Sequence, residues 1–145
     1  MTSPSFSLLY LDTSALIKLY IEEPGSAEVW AKVADAQIVA TSRVAYVEAR
    51  AGMARKRREG EWSAEEYQRL LKDFTQDWEN YFIVEVTEGL TRLGGELTGR
   101  YPLRGFDAIH LASAILLRNR THGVLFFCCF DTRLSEAARA EGLHV

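Results

Sequence analysis

Four carboxylates are spaced along the chain where a fold could gather them: Asp12, Glu48, Asp107 and Asp131. Each also has an ordinary role alone. Asp12 and Asp131 follow apolar runs, Leu8-Leu9-Tyr10-Leu11 and Val124 to Phe130, and could be turn or capping residues. Asp107 opens an apolar helical pattern, where the helix dipole favours a negative charge. Glu48 falls within a stripe of Val44, Val47 and Ala51 at helical spacing. Ionised and unpaired there, it would cost several kcal/mol, so it needs an arginine or a metal.

Together the four acids pose a different problem. Two carboxylates ~4 Å apart repel by ~4 kcal/mol at an effective dielectric of ~20. A cluster therefore needs protons, cations or a hard metal. All-oxygen ligands, with no metal-type cysteine spacing and no clustered histidine, select Mg²⁺ or Mn²⁺ over Zn²⁺. Such an ion keeps several waters, and one can be deprotonated and aimed at a phosphodiester. No serine-nucleophile motif and no phosphate-cradling glycine loop competes with this reading.

The elements around the acids must bring them to one edge. Leu8 to Leu11 reads as a strand buried on both faces that empties into Asp12. Thr13 or Ser14 caps a helix to about Tyr20, which Glu22-Glu23-Pro24-Gly25 turns. A helix from Ser26 carries Val29, Trp30 and Val33 on one side at helical spacing. Gln37 to Thr41 is a second strand, and Ser42 caps a third helix to about Glu59 that carries Glu48. That helix closes on Arg55-Lys56-Arg57-Arg58, either a solvated helix end or a contact for phosphate or an acidic partner.

Ser63 and Glu66 form a capping box for a fourth helix to about Asn80, with Tyr67, Leu70, Leu71, Phe74 and Trp78 on one face. Tyr81 to Val86 is a third strand. Thr87 caps a helix with Leu90, Leu93 and Leu97 inward and Gly94-Gly95 permitting close packing. Tyr101-Pro102 ends it. Asp107 then lies in the first turn of a helix to about Leu117. The run from Gly123 to Phe130 is the most apolar strand, and it leads through Asp131 into a last helix carrying Leu134, Ala137 and Ala138. Leu143-His144-Val145 reads as a short edge strand. Strands alternating with helices predict a mainly parallel sheet covered on both faces, with ligands bound at the strand C-terminal edge.

At 145 residues the chain reads as one domain, residues 1–145. The formal charge of −3 argues against a general nucleic-acid coat but allows a local basic groove. Lys18, Arg104 and Arg133 lie beside acids and could hold phosphates, or could neutralise carboxylates. His110 reads as a core histidine bonded to backbone rather than a base. Met1-Thr2-Ser3-Pro4-Ser5 lacks a basic start, and no apolar run spans a bilayer, so a cytoplasmic protein without a membrane partner is expected. Cys128 and Cys129 are adjacent and badly placed to bridge, and read as reduced strand residues.

These segments resemble a known family. Tyr10 to Tyr20, Glu22 to Ser26, Glu48, Leu103-Arg104 with Asp107 to Ala112, and Phe130-Asp131 with Leu134, Ala137-Ala138 and Gly142-Leu143 are similar to PIN-domain ribonucleases, specifically VapC-type toxins of toxin–antitoxin pairs. The resemblance covers nearly the whole chain. It implies a three-layer α/β/α sandwich and a Mg²⁺- or Mn²⁺-dependent endoribonuclease. It implies Asp12, Glu48, Asp107 and Asp131 as the catalytic acids, with Thr13 and Ser14 supporting them; from the chemistry Asp12 and Asp107 are expected as metal ligands, and Glu48 either as a third ligand or acting on the attacking water. It also implies a homodimer and a VapB-type antitoxin that lays a helical segment near the site. The chain departs from the family at Cys128-Cys129-Phe130, where a small hydroxyl residue is common. That departure places Asp131 at the rim or in contact through water.

Two other acid-bearing α/β designs are disfavoured. A haloacid-dehalogenase-type phosphatase needs a second aspartate where Ser14 stands, and a phospho-receiver domain needs a lysine that Asp131-Thr132-Arg133 does not supply. The remaining alternative is a catalytically silent PIN module that binds RNA or protein without cutting.

Overall fold

The computed structural model describes residues 7–145. The opening residues 1–5, read above for a leader, lie outside them. The order is β1 (Ser7–Leu11), α1 (Thr13–Ile17), α2 (Ser26–Asp35), β2 (Ile38–Ser42), α3 (Val44–Arg58) and α4 (Ala64–Trp78). Then follow β3 (Phe82–Val84), α5 (Glu88–Arg100), α6 (Gly105–Asn119), β4 (Val124–Cys128) and α7 (Thr132–Ala140).

The four strands form one sheet in the order β3-β2-β1-β4, with every pairing parallel. Parallel strands bring all their C-terminal ends to one edge, as expected. β1 sits centrally, and its side chains alternate between two cores. Leu8 and Tyr10 pack with Leu125 and Phe127 under α5, α6 and α7. Leu9 and Leu11 pack under α1 to α4, with Val29, Phe74 and Trp78. Each large apolar side chain buried in these cores contributes ~1.5–3 kcal/mol. The result is the expected three-layer sandwich. His144 adds only a single bridge beside β4, its carbonyl accepting from Phe127 N at 2.7 Å.

Local signals account for most helix starts. Ser63 and Glu66 cap α4 reciprocally, and Thr87 Oγ1 accepts from Leu90 N. Three sequence expectations are corrected. Neither Thr13 nor Ser14 caps α1; Asp12 does, accepting from Ala15 N at 2.9 Å. Ser42 does not cap α3 either: it ends β2, and the N-cap is Arg43, which makes no side-chain capping bond.

The third correction concerns α3, which buries Ala45, Ala49, Gly52 and Met53 rather than Val44, Val47 and Ala51. Val47 is 73% exposed. The cause is a close helix contact: a Cβ on Gly52 would sit 2.5 Å from Ile17 Cδ1 on α1. The buried side carries the small residues Ala45, Ala49 and Gly52, which let the two helices approach closely in place of the bulkier valines.

Candidate active site

β1 delivers Asp12 to the strand C-terminal edge, where Asp12 N also donates to Cys128 O of the neighbouring strand. Asp12 is 4% exposed. Its Oδ1 accepts from Ala15 N and, at 2.7 Å, from the Ser14 hydroxyl. The supporting role expected of Ser14 is therefore a hydrogen bond that orients the carboxylate. Asp131 is built the same way after β4: its Oδ1 accepts from Leu134 N at 2.9 Å and caps α7.

Asp107 is different. It lies in the first turn of α6, whose N-cap makes no side-chain bond. Among the described residues no hydrogen bond or ion pair holds its carboxylate. Glu48, on α3, lies beside the other acids with its side chain partly exposed. The arginine considered as its partner is absent among the described residues. Thr13 Oγ1 donates to Glu48 Oε1 at 2.5 Å, and His110 Nε2 lies 3.1 Å from the same oxygen.

His110 is thus a residue whose role the sequence did not give. It is 2% exposed, and side chains, not backbone, bind both ring nitrogens: Tyr10 Oη lies 2.8 Å from Nδ1 and Thr13 Oγ1 3.0 Å from Nε2. The available signal was its place three residues after Asp107, one helical turn along the same face.

The acids feel one another's charge. The Asp12 carboxyl is pushed above its ordinary value, chiefly by burial, with the Asp107 charge adding to it; His110, Ala15 N–H and the Ser14 hydroxyl oppose the shift. Burial also raises Asp107, helped by Asp131 and, more weakly, Glu48, against His110 and Arg104. Burial pushes Glu48 up as well, but the bonds from His110 and Thr13 outweigh it and hold that carboxyl below its ordinary range.

Asp107 lines two adjoining hollows. One, of ≈ 460 Å³, carries Arg104, Asp131 and Arg133; the other, of ≈ 680 Å³, carries Glu48, Arg104 and Phe106, which is 55% exposed. Arg104 and Arg133 therefore flank the acids. Lys18 does not stand free: it pairs with Glu23 at 2.8 Å and lies over the Phe130 ring, 4.6 Å from its centroid. Lys18 thus straps Glu23 to the Phe130 ring.

Among the described residues no three His, Cys, Asp or Glu side chains stand ready-made as a metal cage. Asp12, Glu48 and Asp107 are coupled through charge, not through a finished coordination shell. Their chemistry nevertheless suits a hard divalent ion. The donors are oxygens, Asp12 and Asp107 carry no ion pair among the described residues, and Mg²⁺ is commonly held by only one or two carboxylates with waters completing its shell. The cysteines offer no rival site: both are free thiols, pushed up to about 11 by burial.

Asp12 and Asp131 directly follow the C-terminal ends of β1 and the β4 segment, the edge at which a parallel sheet binds its ligands. The PIN domain family matches residues 9–140. The chain is 34% identical to Ribonuclease VapC45 of Mycobacterium tuberculosis (strain CDC 1551 / Oshkosh) over 142 residues, 95% of this chain and 94% of that protein. It is 34% identical to Ribonuclease VapC47 of the same organism over 139 residues, 93% of each. This chain belongs to the PIN domain family.

Solved structures share the fold. A chain of FitAcB from Neisseria gonorrhoeae superposes with a TM-score of 0.67 at 17% identity, covering 94% of this chain and 95% of that one. A toxin–antitoxin complex from Klebsiella pneumoniae gives 0.61 at 22% identity, covering 86% and 88%. No helix among the described residues is long and apolar enough to cross a membrane.

Proposed function

We infer that this chain is a VapC-type ribonuclease, the toxin of a toxin–antitoxin pair. The observation that carries the reading is geometric: Thr13, next to Asp12, donates to Glu48 at 2.5 Å, and Glu48 and Asp107 line one hollow. The likeness to named ribonucleases over nearly the whole chain agrees with it.

The finer reading is a metal-dependent endoribonuclease. Asp12, Asp107 and Glu48 would hold Mg²⁺ or Mn²⁺, with Asp131 reaching it through water. The ion supplies charge neutralisation and an acidified water when bound. The chain's own groups do the rest. Ser14 and Ala15 N–H orient Asp12, while the Thr13 hydroxyl holds Glu48. Arg104 and Arg133 flank the acids and would meet the phosphates of an RNA strand. A VapB-type antitoxin, a homodimer and a cytoplasmic location complete the proposal. Incubation with Mn²⁺ and a panel of structured RNAs tests it. Endonucleolytic cleavage by wild type, lost in Asp12→Asn, supports the reading; RNA binding without cleavage favours the silent module.

A further inference from the structure

The acid site leaves one buried polar pair without a task. Tyr10 and His110 are almost wholly buried on β1 and α6 and meet across 100 residues of sequence. Their rings are fixed by packing: Tyr10 stacks on Phe127 at 5.5 Å between centroids and meets His110 edge-on at 5.9 Å.

Counting hydrogens sets the wiring. The Thr13 hydroxyl has one hydrogen, and it goes to Glu48 Oε1. Toward His110 Nε2, Thr13 Oγ1 therefore accepts. Glu48 Oε1 is a carboxylate oxygen and also accepts. Nε2 must then carry the ring hydrogen. In the neutral ring Nδ1 is left as an acceptor, and the donor facing it is the Tyr10 hydroxyl. A ring hydrogen-bonded at one nitrogen has its other nitrogen's role decided.

We propose that His110, donating through Nε2 and bonded at Nδ1 to Tyr10, is a positioning residue for Glu48. The chain runs from Tyr10 O–H to His110 Nδ1, and from His110 Nε2–H to Glu48 Oε1. Together with Thr13 it ties down one carboxylate oxygen and leaves Oε2 for the reaction centre. What Glu48 then does rests on the nuclease reading; the wiring does not. The arrangement is costly unless every member is satisfied, and each of these atoms has its partner. No buried side-chain nitrogen or oxygen among the described residues lacks one.

Nitrogen-15 correlation spectra of the full chain without metal read the tautomer directly. The expected result for the neutral ring is a protonated Nε2 and a bare Nδ1. A neutral ring with its hydrogen on Nδ1 overturns the proposal. Tyr10→Phe keeps the stack but removes the donor, and is expected to shift the Nδ1 resonance while Nε2 keeps its hydrogen; an unmoved Nδ1 resonance overturns the Tyr10–His110 bond.

His110→Leu and His110→Gln, each checked for folding by circular dichroism, then test positioning. The glutamine amide can reach the Nε2 position and donate. Leucine is expected to weaken Mn²⁺ binding and lower kcat by about 10–100-fold with KM nearly unchanged, and glutamine to recover most of both. Equal values for wild type and leucine, or equal losses for leucine and glutamine, overturn the proposal. Failure of wild type to cleave RNA refutes the nuclease reading instead, and the spectra and Mn²⁺ titrations still decide the wiring.

Discussion

Asp107→Asn separates a metal ligand from a structural residue because its two opposing stability effects are small without metal. The substitution removes a first-turn charge that the helix dipole favours by ~0.3–1 kcal/mol. It breaks no hydrogen bond among the described residues. Against that loss it relieves the burial of a charge and its repulsion by Asp131 and Glu48. The two nearly cancel. At ~3 °C per kcal/mol for a chain of this size, Tm in EDTA should stay within ~3 °C of wild type, with a rise more expected than a fall. Excess Mn²⁺ should then divide them. At a concentration near 100 times Kd, binding adds ~2.7 kcal/mol to wild type, roughly 8 °C, and the variant should lose most of that gain. Cleavage of RNA should be lost with it. The assay is a pair of melts, with EDTA and with Mn²⁺. A fall of more than ~6 °C in EDTA would show Asp107 to be a structural cap. An equal Mn²⁺-dependent rise in both proteins would remove it from the ion.

Three further outcomes follow from the same geometry. Asp131→Ala removes the α7 cap and should cost ~1 kcal/mol, read as a drop of ~3 °C in Tm, whereas Asp131→Asn keeps the cap and should melt no lower than wild type. The folded-state carboxyls of Asp12 and Asp107 lie above their ordinary 3.8, so each favours folding fully below that pH and progressively less as pH rises through the raised value. Any Tm advantage of Asp107→Asn over wild type in EDTA should therefore shrink as pH falls toward 4, and an advantage that grows would contradict the sign. Gly25 has φ +97°, and a Cβ there would come 2.6 Å from Phe130 Cε1, so Gly25→Ala should lower Tm by several degrees; an unchanged melt would show the Phe130–Lys18 strap to be loose.

Much of the arrangement was legible because local rules and the fold agreed. The apolar run before Asp12 is a strand because both its faces are covered, and the same grammar recurs at β4. The Ser63–Glu66 box and the Thr87 cap start their helices where the sequence places them. The phase of α3 was not legible from apolar bulk. Alanines lie all round that helix, and the deciding residue was Gly52, whose missing side chain admits α1. Asp12 took the cap from Thr13 and Ser14 because one carboxylate oxygen accepts both Ala15 N–H and the Ser14 hydroxyl. The role of His110 was hidden because its partners, Tyr10, Thr13 and Glu48, come from three other elements, and only the packed sheet brings them within hydrogen-bond reach.

Diffraction from crystals soaked in Mn²⁺, collected for the anomalous signal of the ion, would locate the metal without relying on any substrate. The expected map has its manganese peak at the strand C-terminal edge, bounded by the carboxylates of Asp12, Asp107 and Glu48. A map with no peak there, from protein that still cleaves RNA, would contradict the assignment of these three acids.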